Sequence, residues 1–107
     1  MEKPQFDAFQ VIADPSRRQM LQLLSKEPLT INNLAENFSM SRPAVSKHVK
    51  ILYSAGFISI EDKGRERYCS LKQDGFNQLQ EWISFFDKFW ITKLEKLGAL
   101  LNQKTKN

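Results

Sequence analysis

Four residues carry groups whose types and spacing suit the grip of a polyanion: Arg42, Ser46, Lys47 and Lys50. If this stretch is helical, Val45, Val49 and Leu52 recur at i, i+4 and i+7 and turn inward. Arg42, Ser46, Lys47, Lys50 and Tyr53 then lie on or near the opposite side. An arginine near a helix start can fork onto the O6 and N7 atoms of guanine, lysines neutralise phosphates, and small hydroxyls let the helix lie close to a surface. The same inventory also suits an ordinary surface helix with solubilising charges. His48, the single histidine, immediately precedes Val49. That places it at the edge of the core, where a hydrogen bond within the domain is as open a reading as a contact to DNA.

The elements around this stretch must position it. Ser41 is a good N-cap, and Pro43 is tolerated in the first turn because its missing N–H would have no intrahelical partner there. Ahead of it, Thr30 can cap a shorter helix whose inward residues are Ile31, Leu34, Ala35 and Phe38, with Ser39-Met40-Ser41 as the break. Ala55-Gly56 ends the second helix, Gly56 taking the left-handed position just past it. Residues 30–56 therefore predict a helix-turn-helix, and residues 57–71 a β-hairpin. In that hairpin Ile58, Ile60 and Tyr68 are expected to share the core face, so that Ile60 pairs with Tyr68 across an odd-length loop containing Lys63-Gly64-Arg65. Lys63, Arg65 and Arg67 make the hairpin tip a basic finger; Glu61, Asp62 and Glu66 dilute it.

At the N-terminal end, Phe6, Phe9 and Ile12 predict a helix of about two turns with an aromatic face. Asp14-Pro15 starts a second helix in which Met20, Leu21 and Leu24 are buried, Arg17 and Arg18 begin the solvated side, and Pro28 is the stop. From Asp74 a single long helix is expected as far as Leu101, with Phe76, Leu79, Ile83, Phe86, Trp90, Leu94, Leu97 and Leu101 advancing by threes and fours. Trp82, Phe85 and Phe89 widen this stripe beyond what one small domain can cover. The reading is a homodimer joined through Phe6, Phe9, Trp82, Phe86, Phe89, Trp90, Leu94 and Leu97. The alternatives are packing on the domain's own core or a small-ligand pocket. The chain from Asn102 onward is expected to fray.

Composition narrows the function classes. At 107 residues the chain reads as one domain, residues 1–107, and its net charge of +4 is a mild bias toward polyanions. A lone cysteine, Cys69, rules out an intrachain disulfide and fits a reducing cytoplasm as a small apolar filler. No apolar signal core and no membrane-spanning run is seen, so a cytoplasmic protein without membrane contact is expected. No carboxylate pair, Ser/His/Asp set or phosphate-cradling glycine loop points to an enzyme, and no cofactor is implied.

Helix, helix, helix-turn-helix, hairpin and long helix make a mainly α fold with a two-stranded wing, a winged helix-turn-helix. The chain resembles the ArsR/SmtB family of bacterial dimeric repressors over nearly its whole length. The resemblance is carried by Ala13-Asp14-Pro15-Ser16-Arg17-Arg18, by Ser41 to Leu52 with Ala55-Gly56-Phe57-Ile58, and by Lys63 to Tyr68. It implies recognition-helix contacts at Arg42, Pro43, Ser46 and Lys47, with Ser41, His48 and Lys50 as nearby phosphate or orienting groups. It also implies a double-stranded DNA operator as partner, dimerisation through the N- and C-terminal helices, and scope for an unidentified small-molecule inducer. Members that sense metal through the helix-turn-helix carry Leu-Cys-Val-Cys-Asp-Leu, where this chain reads Leu29-Thr30-Ile31-Asn32-Asn33-Leu34. Others bind zinc through the last helix, which has no histidine here. The resemblance is thus to a branch without metal-binding motifs. The competing reading is a winged-helix protein-interaction module that does not bind DNA.

Overall fold

The computed structural model describes residues 6–105, the side chains of 103–105 excepted. Side-chain caps set four helix starts. In α1 (Ala8–Ile12), Asp7 and Gln10 form a reciprocal capping box, each side chain accepting from the other's backbone N–H at 2.8 Å. Asp14 caps α2 (Pro15–Leu24), Thr30 caps α3 (Ile31–Ala35) and Ser41 caps α4 (Arg42–Ser54), each accepting from the backbone N–H three residues on. The last three are the caps expected from sequence. Between α2 and α3 lies a two-residue strand, β1 (Leu29–Thr30), which the sequence did not signal.

Val11, Met20, Leu34, Val45, Val49, Leu52, Phe57, Ile58 and Cys69 are buried almost completely and form the centre of the core. In α1 the buried residues are Ala8 and Val11; Phe6 and Phe9 remain 48% and 41% exposed. The face of this short helix is therefore rotated from the aromatic one expected.

The end of α4 is a Schellman motif. Gly56, at φ 81°, donates to Tyr53 O at 3.1 Å, and Phe57 N donates to Leu52 O at 3.0 Å. Phe57 leads directly into β2 (Ile58–Lys63), which pairs with β3 (Glu66–Leu71), and β3 pairs with β1 on its other edge, giving the order β1-β3-β2. The register corrects the expectation: Ile60 faces Cys69, and Tyr68 faces Glu61. Lys63 pairs with Glu66, leaving the two-residue loop Gly64-Arg65. Gly64 at φ 65° supplies the positive φ that a tight hairpin turn needs. The shift sends the small thiol inward, where Leu29 of β1 pairs with it, and leaves Tyr68 half-buried on the other face.

The expected single C-terminal helix is two: α5 (Gln73–Ser84) and α6 (Asp87–Thr105). No proline or glycine marks the break at Phe85-Phe86. Phe86 N donates to Ile83 O at 3.0 Å in a tightened turn, and Trp90 N donates back to Phe86 O at 3.1 Å. The turn brings the rings of Phe85 and Phe86, which a straight helix points about 100° apart, to 5.2 Å between centroids. Phe76 and Leu79 of α5 pack on the core, whereas the apolar residues of α6 do not. The radius of gyration is 19.5 Å and the long axis 67 Å, against about 13 Å for the radius of a globular chain of this length. Helicity continues to Thr105, so fraying from Asn102 is not observed; residues 106 and 107 lie outside those described.

The start of α5 is held by the end of α4. Lys72 gives no side-chain cap; instead Gly75 N donates to Gly56 O at 2.8 Å and Lys72 N to Phe57 O at 2.9 Å. A Cβ on Gly75 would stand 2.7 Å from two carbons of the Phe57 ring. Gly75→Ala is expected to destabilise the fold by about 1–3 kcal/mol despite alanine's better helix propensity. Equal or higher stability in urea denaturation would mean that Phe57 can move aside.

Candidate nucleic-acid interface

The core stripe of Val45, Val49 and Leu52 fixes which side of α4 faces out. Ser41, Arg42, Pro43, Lys47 and Lys50 are exposed on that side with Tyr53, and Ser46 is half-exposed among them. The structure thus gathers six of the seven helix positions singled out from sequence. The seventh, His48, sits on the opposite flank of the core stripe, roughly 100° round from Lys47. It is half-buried against α2, where its Nδ1 lies 3.2 Å from an Arg17 guanidinium nitrogen.

The N-terminal ends of α3 and α4 and the wing turn border one cleft of about 250 Å³, lined by Thr30, Ile31, Asn32, Arg42, Arg65, Glu66 and Arg67. Three guanidinium groups, two from the wing and one from α4, therefore share a groove. Their charges are not equally available. Arg67 Nε is 3.0 Å from Asp62 Oδ1, an exposed pair that contributes little stability, about 0–1 kcal/mol, but offsets the wing's charge. Lys63 lies 5.7 Å from the centre of the Tyr68 ring and opposite Glu66. Arg65 at the tip forms no ion pair with a described residue. The basic finger is thus present, with Arg65 as its least neutralised member.

Arg17 corrects the sequence reading most sharply. Expected on the solvated side, it is only 8% exposed. Its Nε donates to Val11 O at 2.8 Å and its Nη2 to Gln10 O at 3.2 Å. Arg18 is exposed as expected, yet it too is engaged, donating to Ile12 O and Ala13 O. The signal for Arg17 was available, because residues 17, 20, 21 and 24 follow the helical period of the buried stripe.

Among the described residues no group of three or more His, Cys, Asp or Glu side chains converges as a metal site. Burial pushes the Cys69 thiol up, with the charge of Arg67 partly opposing it. Cys69 is a free, fully buried side chain in β3, which fits the role of apolar filler.

Where α1 meets α5, Phe9 meets Trp82 edge-on at 5.6 Å and Trp82 meets Phe86 at 5.1 Å, so three of the aromatics expected at an interface form one cluster. Phe89, Trp90, Leu94 and Leu97 line α6, each at least half exposed.

A profile of the arsR family of bacterial regulatory proteins matches residues 14–59, which span α2, the helix-turn-helix and the first residues of β2. The transcriptional repressor SdpR of Bacillus subtilis is 38% identical over 82 residues, 73% of this chain and 91% of its own length. The chain belongs to the arsR family. It is a winged helix-turn-helix DNA-binding transcriptional regulator and not an enzyme. The HTH-type regulator Rv2034 of Mycobacterium tuberculosis is 32% identical over 91% of this chain and 88% of its own. A crystal structure of a possible transcriptional regulator for arsenical resistance superposes with a TM-score of 0.68. It is 41% identical and covers 88% of this chain and 95% of that one. No helix among the described residues is long and apolar enough to cross a membrane.

The start of α2 carries an ionisable cap. Burial acts to raise the Asp14 carboxyl, but the Arg17 backbone N–H, the charge of Arg17 and the Ser16 N–H outweigh it and hold Asp14 below its ordinary value. Its contribution to stability is therefore complete above about pH 4, the unfolded range, and is lost as pH falls through the lower folded value. Asp14→Asn keeps an N-cap but cannot ionise. The stability gap between wild type and Asp14→Asn in urea should shrink from pH 7 to pH 3. An unchanged gap would remove the ionic contribution, and Asp14→Ala should cost about 1 kcal/mol at neutral pH.

Proposed function

We propose that the chain is a homodimeric, sequence-specific repressor of the family branch without metal-binding motifs, acting in the cytoplasm as one winged domain over residues 1–107. Residues 30–56 form its reading unit, 57–71 its wing and 74–101 its dimerisation segment. The observation that carries the reading is the outer face of α4, basic, short-chained and exposed from Ser41 to Tyr53. In this reading Arg42, Pro43, Ser46 and Lys47 meet base edges in the major groove. Ser41 and Lys50 meet phosphates beside them, while Lys63, Arg65 and Arg67 follow the backbone from the wing. His48 takes the orienting role.

The dimer reading rests on α6. Its apolar side chains are 50% exposed or more, Leu94 at 66%, although each buried large apolar side chain contributes about 1.5–3 kcal/mol. A second copy of the same helix, with Phe6, Phe9, Trp82 and Phe86 at one end, covers this surface by two-fold symmetry. Repression is favoured by the likeness to SdpR, named a transcriptional repressor. The non-metal assignment follows from Thr30 and Asn32 at the positions of the family's thiolates. Thr30 is committed to capping α3, and each subunit has a single cysteine and a single histidine. Release from the operator by a small-molecule inducer completes the reading, with no residue assigned to it.

Arg42→Ala should weaken binding to promoter DNA by about 1–3 kcal/mol and blur its preference over random duplex. Lys50→Ala should weaken both duplexes alike and flatten the salt dependence by about one charge. Equal losses on both duplexes for Arg42→Ala would remove its base-reading role. Trp90→Glu combined with Leu94→Glu should give a folded monomer in sedimentation, with promoter affinity lowered at least about tenfold. A variant that remains dimeric would place the interface elsewhere.

A further inference from the structure

We propose that Arg17 is the positioning residue of the DNA interface: its guanidinium ties the end of α1 to His48 of α4, and so sets the rotation at which the recognition helix presents Arg42, Ser46 and Lys50. The proposal rests on the reading of α4 as the DNA-contacting helix.

A buried guanidinium is costly unless its donors are satisfied. Arg17, at 8% exposure, makes no ion pair with a described residue; Asp14 accepts from its backbone N–H instead. Its hydrogen-bond partners among the described residues are Val11 O at 2.8 Å, Gln10 O at 3.2 Å and His48 Nδ1 at 3.2 Å, with the Phe6 ring centre 5.7 Å away. Two carbonyls would suffice for a residue that only closed α1, and Arg18 already serves the next two, Ile12 O and Ala13 O. The remaining arm reaches across to α4.

Arginine has no acceptor, so His48 Nδ1 must accept, and its ring proton is on Nε2. Among the described residues this is the one side-chain hydrogen bond between α4 and the α1–α2 pair. The other contacts of α4 with the core run through apolar side chains, Val45, Val49 and Leu52 with Ile51 beside them. Apolar packing is non-directional and tolerates small rotations of a helix. A turn of about 10° moves a side chain on a helix surface by roughly 1 Å, more than the ~0.5 Å that a productive polar contact allows. The Arg17–His48 bond supplies the directional constraint. Because α1 also meets α5 through Phe9 and Trp82, the same guanidinium joins the aromatic end of the molecule to its DNA face.

The test compares His48→Leu, His48→Gln and Arg17→Lys at one pH, on promoter and random duplexes, after thermal melts confirm folding. Leucine has similar bulk but cannot accept; glutamine carries an amide oxygen that can. Lysine keeps the charge but not the fork. We expect His48→Leu and Arg17→Lys each to lower the promoter preference at least about tenfold with an unchanged salt slope, and the double variant to be no worse than either. His48→Gln should restore the preference to within about threefold. A preference unchanged in folded variants, with only the melt lowered, overturns the proposal. So does an equal loss on both duplexes from His48→Leu with Arg17→Lys silent, which would make His48 a direct backbone contact. If His48→Leu does not fold, His48→Phe, which keeps a ring but has no acceptor at the Nδ1 position, replaces it. A second readout stands apart from DNA preference: α4 amides should exchange at least about tenfold faster in Arg17→Lys than in wild type or His48→Gln. Equal exchange contradicts the clamp even if wild type shows no promoter preference, a result that would separately end the repressor reading.

Discussion

The structure depends on the way Phe57 is held. Its amide closes the Schellman end of the recognition helix on Leu52 O, and its carbonyl receives the amide of Lys72 at the entry to α5. Its ring stands edge-on to Phe76 at 4.9 Å, above a glycine with no room for a side chain. Full burial of such a ring contributes about 1.5–3 kcal/mol, and here it also decides directions. The chain must leave α4 through Gly56, enter β2 at once, and return from β3 onto the same ring. Recognition helix, wing and α5 therefore radiate from one residue, which sets the angles between their axes but leaves the rotation of α4 about its own axis to other contacts.

That constraint separates two surfaces of opposite character. One joins the outside of α4 to the wing through the cleft containing Arg42, Arg65 and Arg67. The other begins at the Phe9–Trp82–Phe86 cluster and runs along α6. The first suits a charged, hydrated partner and the second an apolar one, so DNA binding and self-association need not compete for side chains. The core between them is bridged by the one buried cation among the described residues, Arg17.

Much of this was legible in sequence because it depended on local rules. Asp14, Thr30 and Ser41 are caps wherever a helix follows them, and Gly56 adopts the positive φ that its position after a helix demands. What escaped depended on partners distant in sequence or on a choice between two valid patterns. Tyr68 and Cys69 are both apolar enough for a core, and parity alone could not tell which faced it. The two-residue turn at Gly64 and the pairing of Leu29 with Cys69 chose the thiol. The break at Phe85-Phe86 has no glycine or proline to announce it; its signature is ring packing. The charge of Arg17 points to solvent, whereas its spacing to Met20, Leu21 and Leu24 is that of a buried residue, and the period prevails. The strand at Leu29-Thr30 is too short for any alternation to show.

The central claim is that α4 and the wing read DNA in a sequence-specific way. Its most direct test is fluorescence anisotropy of the purified protein on DNA from its own promoter region and on random duplex, over a series of salt concentrations. With three or four phosphates neutralised per subunit of a dimer, the affinity should fall with a log–log slope of about −6, and the promoter should be preferred by a factor of about a thousand or more. Equally weak binding to both duplexes, or no binding at low salt, would contradict the account and shift the role of the exposed aromatic helix to capture of a different protein chain.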